Sequence, residues 1–193
     1  GEREFVDNSA LDVGAMMNAM HNYNGASTTA CPSPEEWAEK FLQADEILAI
    51  TISSNLSGSY NSAMVARDMV LESHPEKKLY VLDSLSTGGE MALAIWKANE
   101  LVAAGLPFEE LVRQWEIWFA QKQILFALAS FDNLVKNGRL SRLAGFVAGV
   151  MNMRAVGRGS EEGKLEMLHK TRGETRMLAL LLEEMDHRGY NGL

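Results

Sequence analysis

Disulfide bonds and membrane-spanning segments are the first features that this sequence lacks. Its 193 residues include a single cysteine, Cys31, which cannot form an internal disulfide and is typical of a reducing compartment. The longest apolar stretch, residues 143–151, is far shorter than the ~18 residues that cross a bilayer. Residues 1–4 are largely charged and lead into no apolar segment of a secretory signal. We therefore expect a cytoplasmic protein that does not span a membrane.

Residues that form catalytic or metal centres are also scarce. The four histidines are scattered and show no ligand spacing with each other or with Cys31, so we expect no metal ion. No Gly-x-Ser-x-Gly segment and no phosphate-binding Gly-Lys-Ser/Thr loop occurs. These absences favour a protein that is not an enzyme and needs no cofactor.

Basic residues are in deficit, since 18 Lys or Arg stand against 26 Asp or Glu and give a formal net charge of -8. That balance argues against a nucleic-acid partner. The charges are uneven, however, because residues 136–176 hold nine Lys or Arg and four Glu, a local +5. Two interpretations stay open: oppositely charged parts of the chain attract each other or are solvated, or the basic segment docks an anionic partner.

Apolar runs of strand length alternate with longer segments of helical period, which predicts an α/β fold built from βαβ units around a parallel sheet. The runs are continuous, as in strands that are covered on both faces. Glu161-Glu162-Gly163 is a turn signal between two shorter runs and predicts a hairpin. The predicted strands are residues 46–53, 78–83 and 123–129, followed by the hairpin strands 154–157 and 164–169.

Helix boundaries are readable at several positions. Ser33-Pro34-Glu35-Glu36 is a capping box with proline at the first helical position, so a helix begins at Ser33. Asn137-Gly138 predicts the end of another helix. The remaining predicted helices are residues 59–73, 89–104, 107–122, 141–150 and 173–188.

A hydroxyl-rich turn, residues 53–60, joins the strongest predicted strand to a helix. Such a turn gathers serine hydroxyls and the free N–H groups of a helix start at the carboxyl edge of a sheet, where they favour a carboxylate or phosphate. Gly58 would let a ligand approach the backbone. The alternative is that Ser57 or Ser59 merely caps its own helix, which is the commoner use of such residues.

Two further loops carry hydroxyl groups. Ser27-Thr28-Thr29 precedes the capping box, and residues 83–89 follow the second predicted strand. Either loop can be simple loop composition. If all three hydroxyl loops lie at one edge of one sheet, they favour a ligand site there.

Methionine is abundant, with eleven residues. Most of these are expected to fill the core. A flexible thioether also adapts well to an elongated apolar ligand, so methionines beside a carboxylate-binding loop would suit a long-chain acid.

The hydroxyl loops resemble motifs of the DegV family. Residues 28–36 are similar to its Thr-Ser-x-Pro-Ser loop, and residues 52–60 are similar to its Ser-Ser-x-Leu-Ser-Gly-Thr/Ser-Tyr loop. Residues 81–84 resemble the family's strand that ends in Asp-Ser, and residues 134–141 resemble its Leu-x-x-Gly-Gly-Arg-Ile-Ser segment. The motifs occur in the family's order, and the resemblance covers nearly the whole chain.

The resemblance implies a two-domain α/β protein that holds one long-chain fatty acid in an apolar tunnel and presents its carboxylate to a fatty acid kinase subunit. The expected carboxylate ligands are Thr28 or Thr29 in the first loop and Ser57, Gly58 and Ser59 in the second. Thr29 stands where the family more often has serine, so the choice between the two threonines stays open. Arg154 falls where the family often has lysine, beside the expected domain junction.

The two ends of the chain depart from the family pattern. Family members start with a further strand and continue past Leu193, so the sequence is expected to be a fragment or a natural truncation. We expect residues 1–130 to form the sheet domain that carries the hydroxyl loops, and residues 131–193 to form part of a smaller lipid-covering domain. Exposed sheet edges in such a chain favour a homodimer or partial closure by the ligand.

Functional alternatives remain at this stage. In the carrier hypothesis the basic segment docks the kinase, with Arg139, Arg142 and Arg158 as the candidate residues. A different class of protein, a small-anion hydrolase or phosphotransferase, would use Ser57 and Asp83. A third possibility is a structural fragment without a ligand.

Overall fold

The computed structural model describes residues 3–25, 27–131, 133–134, 137–139 and 153–190. Helices and strands are interspersed in the first two thirds of the chain, and the strands and helix described after residue 150 are a hairpin and one helix. They are α1 (Val13–His21), α2 (Pro34–Phe41), β1 (Glu46–Thr51), α3 (Ser59–Ser73), β2 (Lys78–Asp83), α4 (Gly89–Ala103), α5 (Phe108–Phe119), β3 (Leu125–Leu128), β4 (Met153–Gly159), β5 (Leu165–Arg172) and α6 (Glu174–His187).

Strands β1 and β2 are parallel and in register from Glu46 opposite Lys78 to Thr51 opposite Asp83. Their alternate side chains enter two cores, because successive residues of a strand point to opposite faces. Ala49 and Val81 pack with helices α2 and α3, whereas Leu82 packs with α4 and α5. Covering both faces explains why the two strands are continuous apolar runs. The α/β class and the parallel sheet are therefore confirmed.

A second sheet contains β3, β4 and β5 in that order, and all its pairs are antiparallel. Helix α6 packs on it through Met177 and Leu180, which contact Val156. The predicted hairpin is confirmed, with strands longer than expected. The interpretation of residues 123–129 as a third strand of the parallel sheet was wrong, since β3 pairs with β4. The division of the chain at residue 130 stays a prediction, although this sheet includes strands on both sides of it.

Helix boundaries follow the sequence closely where the signal is local. Helix α2 has both bonds of the capping box: Glu36 donates its N–H to the Ser33 hydroxyl over 3.2 Å, and Ser33 donates its N–H to the Glu36 carboxylate over 2.7 Å. The helix stop at Asn137-Gly138 is confirmed, because Gly138 has a φ of 68° and Arg139 N–H donates to the carbonyl of Leu134. The predicted helix at residues 141–150 lies outside the described residues.

The capping box gives a test of local stability. Replacing Ser33 with alanine should lower the free energy of unfolding by about 1 kcal/mol, because the Glu36 N–H at the start of α2 loses its hydroxyl partner. Urea unfolding measures the difference. Ser73→Ala is the control, since Ser73 ends α3 and bonds only carbonyls of its own helix and the adjacent His74; an equal loss in both variants would contradict the capping role.

Strand β5 and helix α6 are joined by a contact between His169 and Glu184. His169 Nε2 lies 2.6 Å from Glu184 Oε1, and Arg188 Nη2 lies 3.3 Å from Glu184 Oε2. The Glu184 side chain is only 14% exposed. The hydrogen bond with His169, together with Arg188, lowers the pKa of Glu184 below its usual value.

This contact predicts a pH-dependent contribution to stability. A carboxylate with a lowered pKa in the folded state stabilises the protein above its ordinary pKa and loses that contribution as the pH falls through the lowered value. The difference in unfolding free energy between wild type and Glu184→Gln should therefore be full at neutral pH and shrink below about pH 4. Glu183→Gln, in an exposed pair with Arg176, is the control. A difference that does not change with pH would contradict the assignment.

The methionines are used in more than one way. Met64, Met153, Met167 and Met177 pack in or against the hydrophobic cores, as expected of core filling. Met17 and Met69 instead expose 48% and 45% of their surface.

Candidate ligand site between two hydroxyl loops

The two hydroxyl loops meet through the side chain of Arg139. Its Nη2 donates to the Thr29 hydroxyl over 3.1 Å, and its Nε donates to the carbonyl of Leu56 over 3.0 Å. One guanidinium thus joins the loop before α2 to the loop before α3. Gly138, with a φ of 68°, directly precedes Arg139.

Further contacts hold the first loop against α3. The Ser62 hydroxyl donates to the carbonyl of Pro32 over 2.6 Å. Cys31 Sγ would lie only 3.4 Å from a Cβ atom at Gly58, so the first loop runs close to the start of α3. The predicted meeting of these two loops is borne out by the geometry.

The start of α3 presents its hydroxyl groups as a pair. The Ser57 and Ser59 Oγ atoms are 3.0 Å apart, and Ser59 donates its N–H to the Ser57 hydroxyl over 3.2 Å. Gly58 is the residue before the helix and supplies no side-chain cap. The first N–H groups of any helix have no partner inside it, so this end attracts negative charge.

The first loop presents its threonines at the surface. Thr28 and Thr29 are both exposed. Thr29 is the one that Arg139 ties to the second loop, which favours Thr29 over Thr28 as a member of the site.

An apolar environment begins one residue before Ser57. Leu56 packs against the core cluster of Phe131, which follows β3, and Ala155 and Leu165 of the second sheet. Hydroxyl groups and an apolar core therefore adjoin each other at this loop. Such an arrangement suits a ligand with a charged head and a hydrocarbon tail.

The third hydroxyl loop serves the backbone. Asp83 Oδ1 accepts the N–H groups of Ser54 over 3.1 Å and Leu85 over 3.0 Å. Ser84 and Ser86 are only 2% and 4% exposed, and the Ser84 hydroxyl donates to the Ser86 carbonyl. This loop therefore supports the second loop through Asp83, and the hydroxyl groups of Ser84 and Ser86 are buried inside it. The expected convergence of the third loop with the second is confirmed by these contacts and by the Ser53 N–H, which donates to the Ser86 carbonyl over 2.9 Å.

The hydrolase alternative needs a base beside Ser57. The described hydrogen bonds of the Ser57 hydroxyl involve Ser59 alone, and Asp83 is engaged by two backbone N–H groups. Among the described residues, no three or more His, Cys, Asp or Glu side chains are grouped so that they could hold a metal ion. The hydrogen bonds among the described residues therefore do not connect Ser57 with Asp83.

The three arginines predicted to dock a partner differ in their surroundings. Arg139 lies between the hydroxyl loops, and Arg158 on β4 pairs with Glu166 on β5 over 2.8 Å. Arg142 lies outside the described residues. Arg154 donates to the carbonyl of Ala129, between β3 and β4. Sequence reasoning missed the bridging position of Arg139; the glycine before it was the available signal.

The fold and the site together define an α/β protein with two sheets, in which Arg139 joins two hydroxyl loops beside the start of α3. A family model described as an uncharacterised protein of the DegV family matches residues 1–192. The chain belongs to the DegV family.

Curated relatives support this assignment. A DegV domain-containing protein of Streptococcus gordonii is 44% identical over 192 residues, which are 100% of this chain and 68% of the relative. A DegV domain-containing protein of Streptococcus pneumoniae is 45% identical over 191 residues, 99% of this chain and 68% of the relative.

Solved structures give the same result. The Streptococcus pneumoniae fatty acid kinase (Fak) B3 protein, loaded with linoleic acid, is 45% identical with a TM-score of 0.94, over 100% of this chain and 68% of that one. A DegV family protein from Eubacterium eligens, loaded with heptadecanoic acid, is 38% identical with a TM-score of 0.91, over 99% and 69% of the two chains. No helix in the described part of this chain is long and apolar enough to cross a membrane.

Proposed function

We propose that this protein binds a long-chain fatty acid in an apolar tunnel and presents its carboxylate to a fatty acid kinase subunit, without being an enzyme itself. The observation that carries the proposal is the bridge from Arg139 to Thr29 and Leu56. It brings the two hydroxyl loops together in a chain that is 45% identical to a protein loaded with linoleic acid.

The carboxylate head is held by hydroxyl donors and by the start of α3. Thr29, Ser57 and Ser59 donate hydrogen bonds to its oxygens, and Gly58 leaves room for their approach. Hydrogen bonds to a charged acceptor are about twice as strong as neutral ones, and the helix end adds a favourable field. Thr28 stands beside Thr29 as a further donor.

Presentation follows from the position of the head group. Thr29 and Gly58 are exposed, so a carboxylate between them faces the protein surface while its tail extends toward Leu56 and the apolar residues beyond. The kinase supplies the phosphoryl donor and transfers the phosphoryl group to the carboxylate oxygen. The carrier contributes binding and orientation, which is why it needs no catalytic base. Arg158, with Arg142, is proposed to contact the kinase.

Binding of a matched pair of ligands tests the carboxylate assignment. A long-chain fatty acid should bind the purified protein at least about tenfold more tightly than its methyl ester, because the ester keeps the hydrocarbon tail but lacks the charged acceptor. Displacement of a fluorescent fatty acid measures both affinities. Equal affinities would contradict the head-group site, and turnover of esters without any partner would support the hydrolase instead.

A further inference from the structure

The turn of the β4–β5 hairpin, residues 160–163, rests directly on the loop that carries Ser57. The Ser53 hydroxyl donates to the carbonyl of Gly163 over 2.7 Å, and the Asn55 amide Nδ2 donates to the carbonyl of Glu162 over 2.7 Å. Ser53 is fully buried. A buried hydroxyl that loses its partner is costly, so the hairpin turn and this loop fix each other's position.

The turn is shaped for this contact. Gly163 has a φ of +74°, and a Cβ atom there would lie 2.7 Å from the Leu85 Cα and collide with the Ser53 hydroxyl. Inside the turn, Gly163 N–H donates to the Ser160 carbonyl over 2.9 Å, and Lys164 N–H donates to the Ser160 hydroxyl over 3.0 Å. Only glycine meets both the backbone conformation and the close approach.

Ser53 also bonds the backbone of the loop that forms the proposed ligand site. Its carbonyl accepts the N–H groups of Leu56 over 2.9 Å and Ser57 over 3.1 Å. Its hydroxyl, while donating to Gly163, accepts the N–H of Asn55 over 3.2 Å. Ser53 is therefore the single residue that links the hairpin turn to the backbone of Ser57, whose hydroxyl belongs to the proposed ligand site.

We propose that the hairpin turn 160–163 is a positioning element for the carboxylate-binding loop, so that docking of the turn and binding of the fatty acid strengthen each other. The inference rests on the proposed function and concerns how the loop of that same site is held in position. Coupling between two binding events is reciprocal. Displacing the turn therefore weakens fatty acid binding, and a bound fatty acid stabilises the docked position of the turn. A preorganised loop also avoids the cost of ordering its side chains on binding.

Two glycine variants separate this role from general destabilisation. Gly163→Ala forces the turn away from Ser53 and Leu85. Gly173→Ala likewise places a side chain at a positive φ, +79°, but a Cβ atom there meets nothing within 4 Å. We expect Gly163→Ala to weaken fatty acid binding by about tenfold or more and Gly173→Ala by less than about twofold, measured by fluorescent displacement at a temperature where both variants are folded.

A milder variant covers the case in which Gly163→Ala does not fold. Asn55→Ala removes only the bond to Glu162 from an exposed side chain, and it should weaken binding several-fold. Amide hydrogen exchange adds a readout that a merely structural role would not move. Saturating wild type with fatty acid should slow exchange of the Gly163 and Lys164 amides, and Asn55→Ala should reduce that protection.

The outcomes distinguish the two proposals. If wild type binds no fatty acid, the proposed function fails and this inference fails with it. If wild type binds the fatty acid but Asn55→Ala and Gly163→Ala bind it as Gly173→Ala does, and the ligand leaves exchange of the turn unchanged, the carrier function stands and the positioning role is overturned.

Discussion

The double replacement Thr29→Ala with Ser57→Ala is expected to weaken fatty acid binding by about a hundredfold or more. Each hydroxyl donates to a charged carboxylate, and such a hydrogen bond contributes roughly 1.5–3 kcal/mol. Since 1.4 kcal/mol corresponds to about tenfold in affinity, two lost donors account for the expected effect. The Ser59 hydroxyl, now without its Ser57 neighbour, remains and keeps binding measurable. Fluorescent displacement with the purified variant gives the affinity.

A matched control removes two hydroxyl groups elsewhere. Ser73 and Thr171 bond only carbonyls nearby in the chain and the adjacent His74, so their double alanine variant should bind fatty acid like wild type. The lipid that co-purifies with each protein gives an independent reading. Wild-type lipid content in the Thr29 and Ser57 variant would contradict the assignment of the carboxylate site.

Replacement of Arg139 is expected to give the second large effect, a loss of about tenfold or more in fatty acid affinity. The guanidinium bonds Leu56 and Thr29 from two different nitrogens, which a lysine ammonium on a flexible stem cannot reproduce. Arg139→Lys should therefore fail to restore the affinity that Arg139→Ala loses. Titration with a fluorescent fatty acid compares the three proteins.

Arg158→Ala distinguishes a residue that contacts the kinase from a residue that holds the fatty acid site together. Arg158 was predicted, like Arg139, to contact the kinase, but it pairs with Glu166 on the second sheet. Its replacement should leave fatty acid affinity unchanged and lower only kinase-dependent phosphorylation. If Arg139→Ala instead keeps full affinity and loses phosphorylation, the bridge between the loops is unimportant and Arg139 belongs to the docking surface.

Local signals in the sequence predicted local structure well. The capping box at Ser33, the glycine at 138 and the turn at residues 161–163 each act through neighbouring backbone groups, so their effect is readable from a few residues. Continuous apolar runs predicted β1 and β2 for a related reason: a strand covered by helices on both faces needs apolar side chains at every position.

The partner of a strand was harder to predict. Residues 125–128 form a short apolar run that fits a parallel or an antiparallel sheet equally well, and the choice depends on β4, which lies 25 residues further along the chain. Short apolar runs are ambiguous in this way because periodicity reports which faces are covered and says nothing about neighbours.

In the candidate site, too, residues with a local signal were predicted and residues that join through distant contacts were not. Ser57 and Thr29 were predicted from loops that follow or precede regular elements, where hydroxyl groups have a physical reason to occur. Arg139 and the hairpin turn join the site through contacts between residues about 110 positions apart. A local sequence pattern cannot predict contacts between residues so far apart in the chain. The resemblance to a family motif included Arg139 in a motif but did not give its contacts.

Native mass spectrometry of the purified protein, followed by extraction and identification of any bound lipid, tests the central claim most directly. We expect a species heavier than the chain by one long-chain fatty acid, with that acid recovered on extraction and strongly depleted in the Thr29 and Ser57 double variant. A protein that is empty as purified and stays empty after incubation with a long-chain fatty acid would contradict the carrier function.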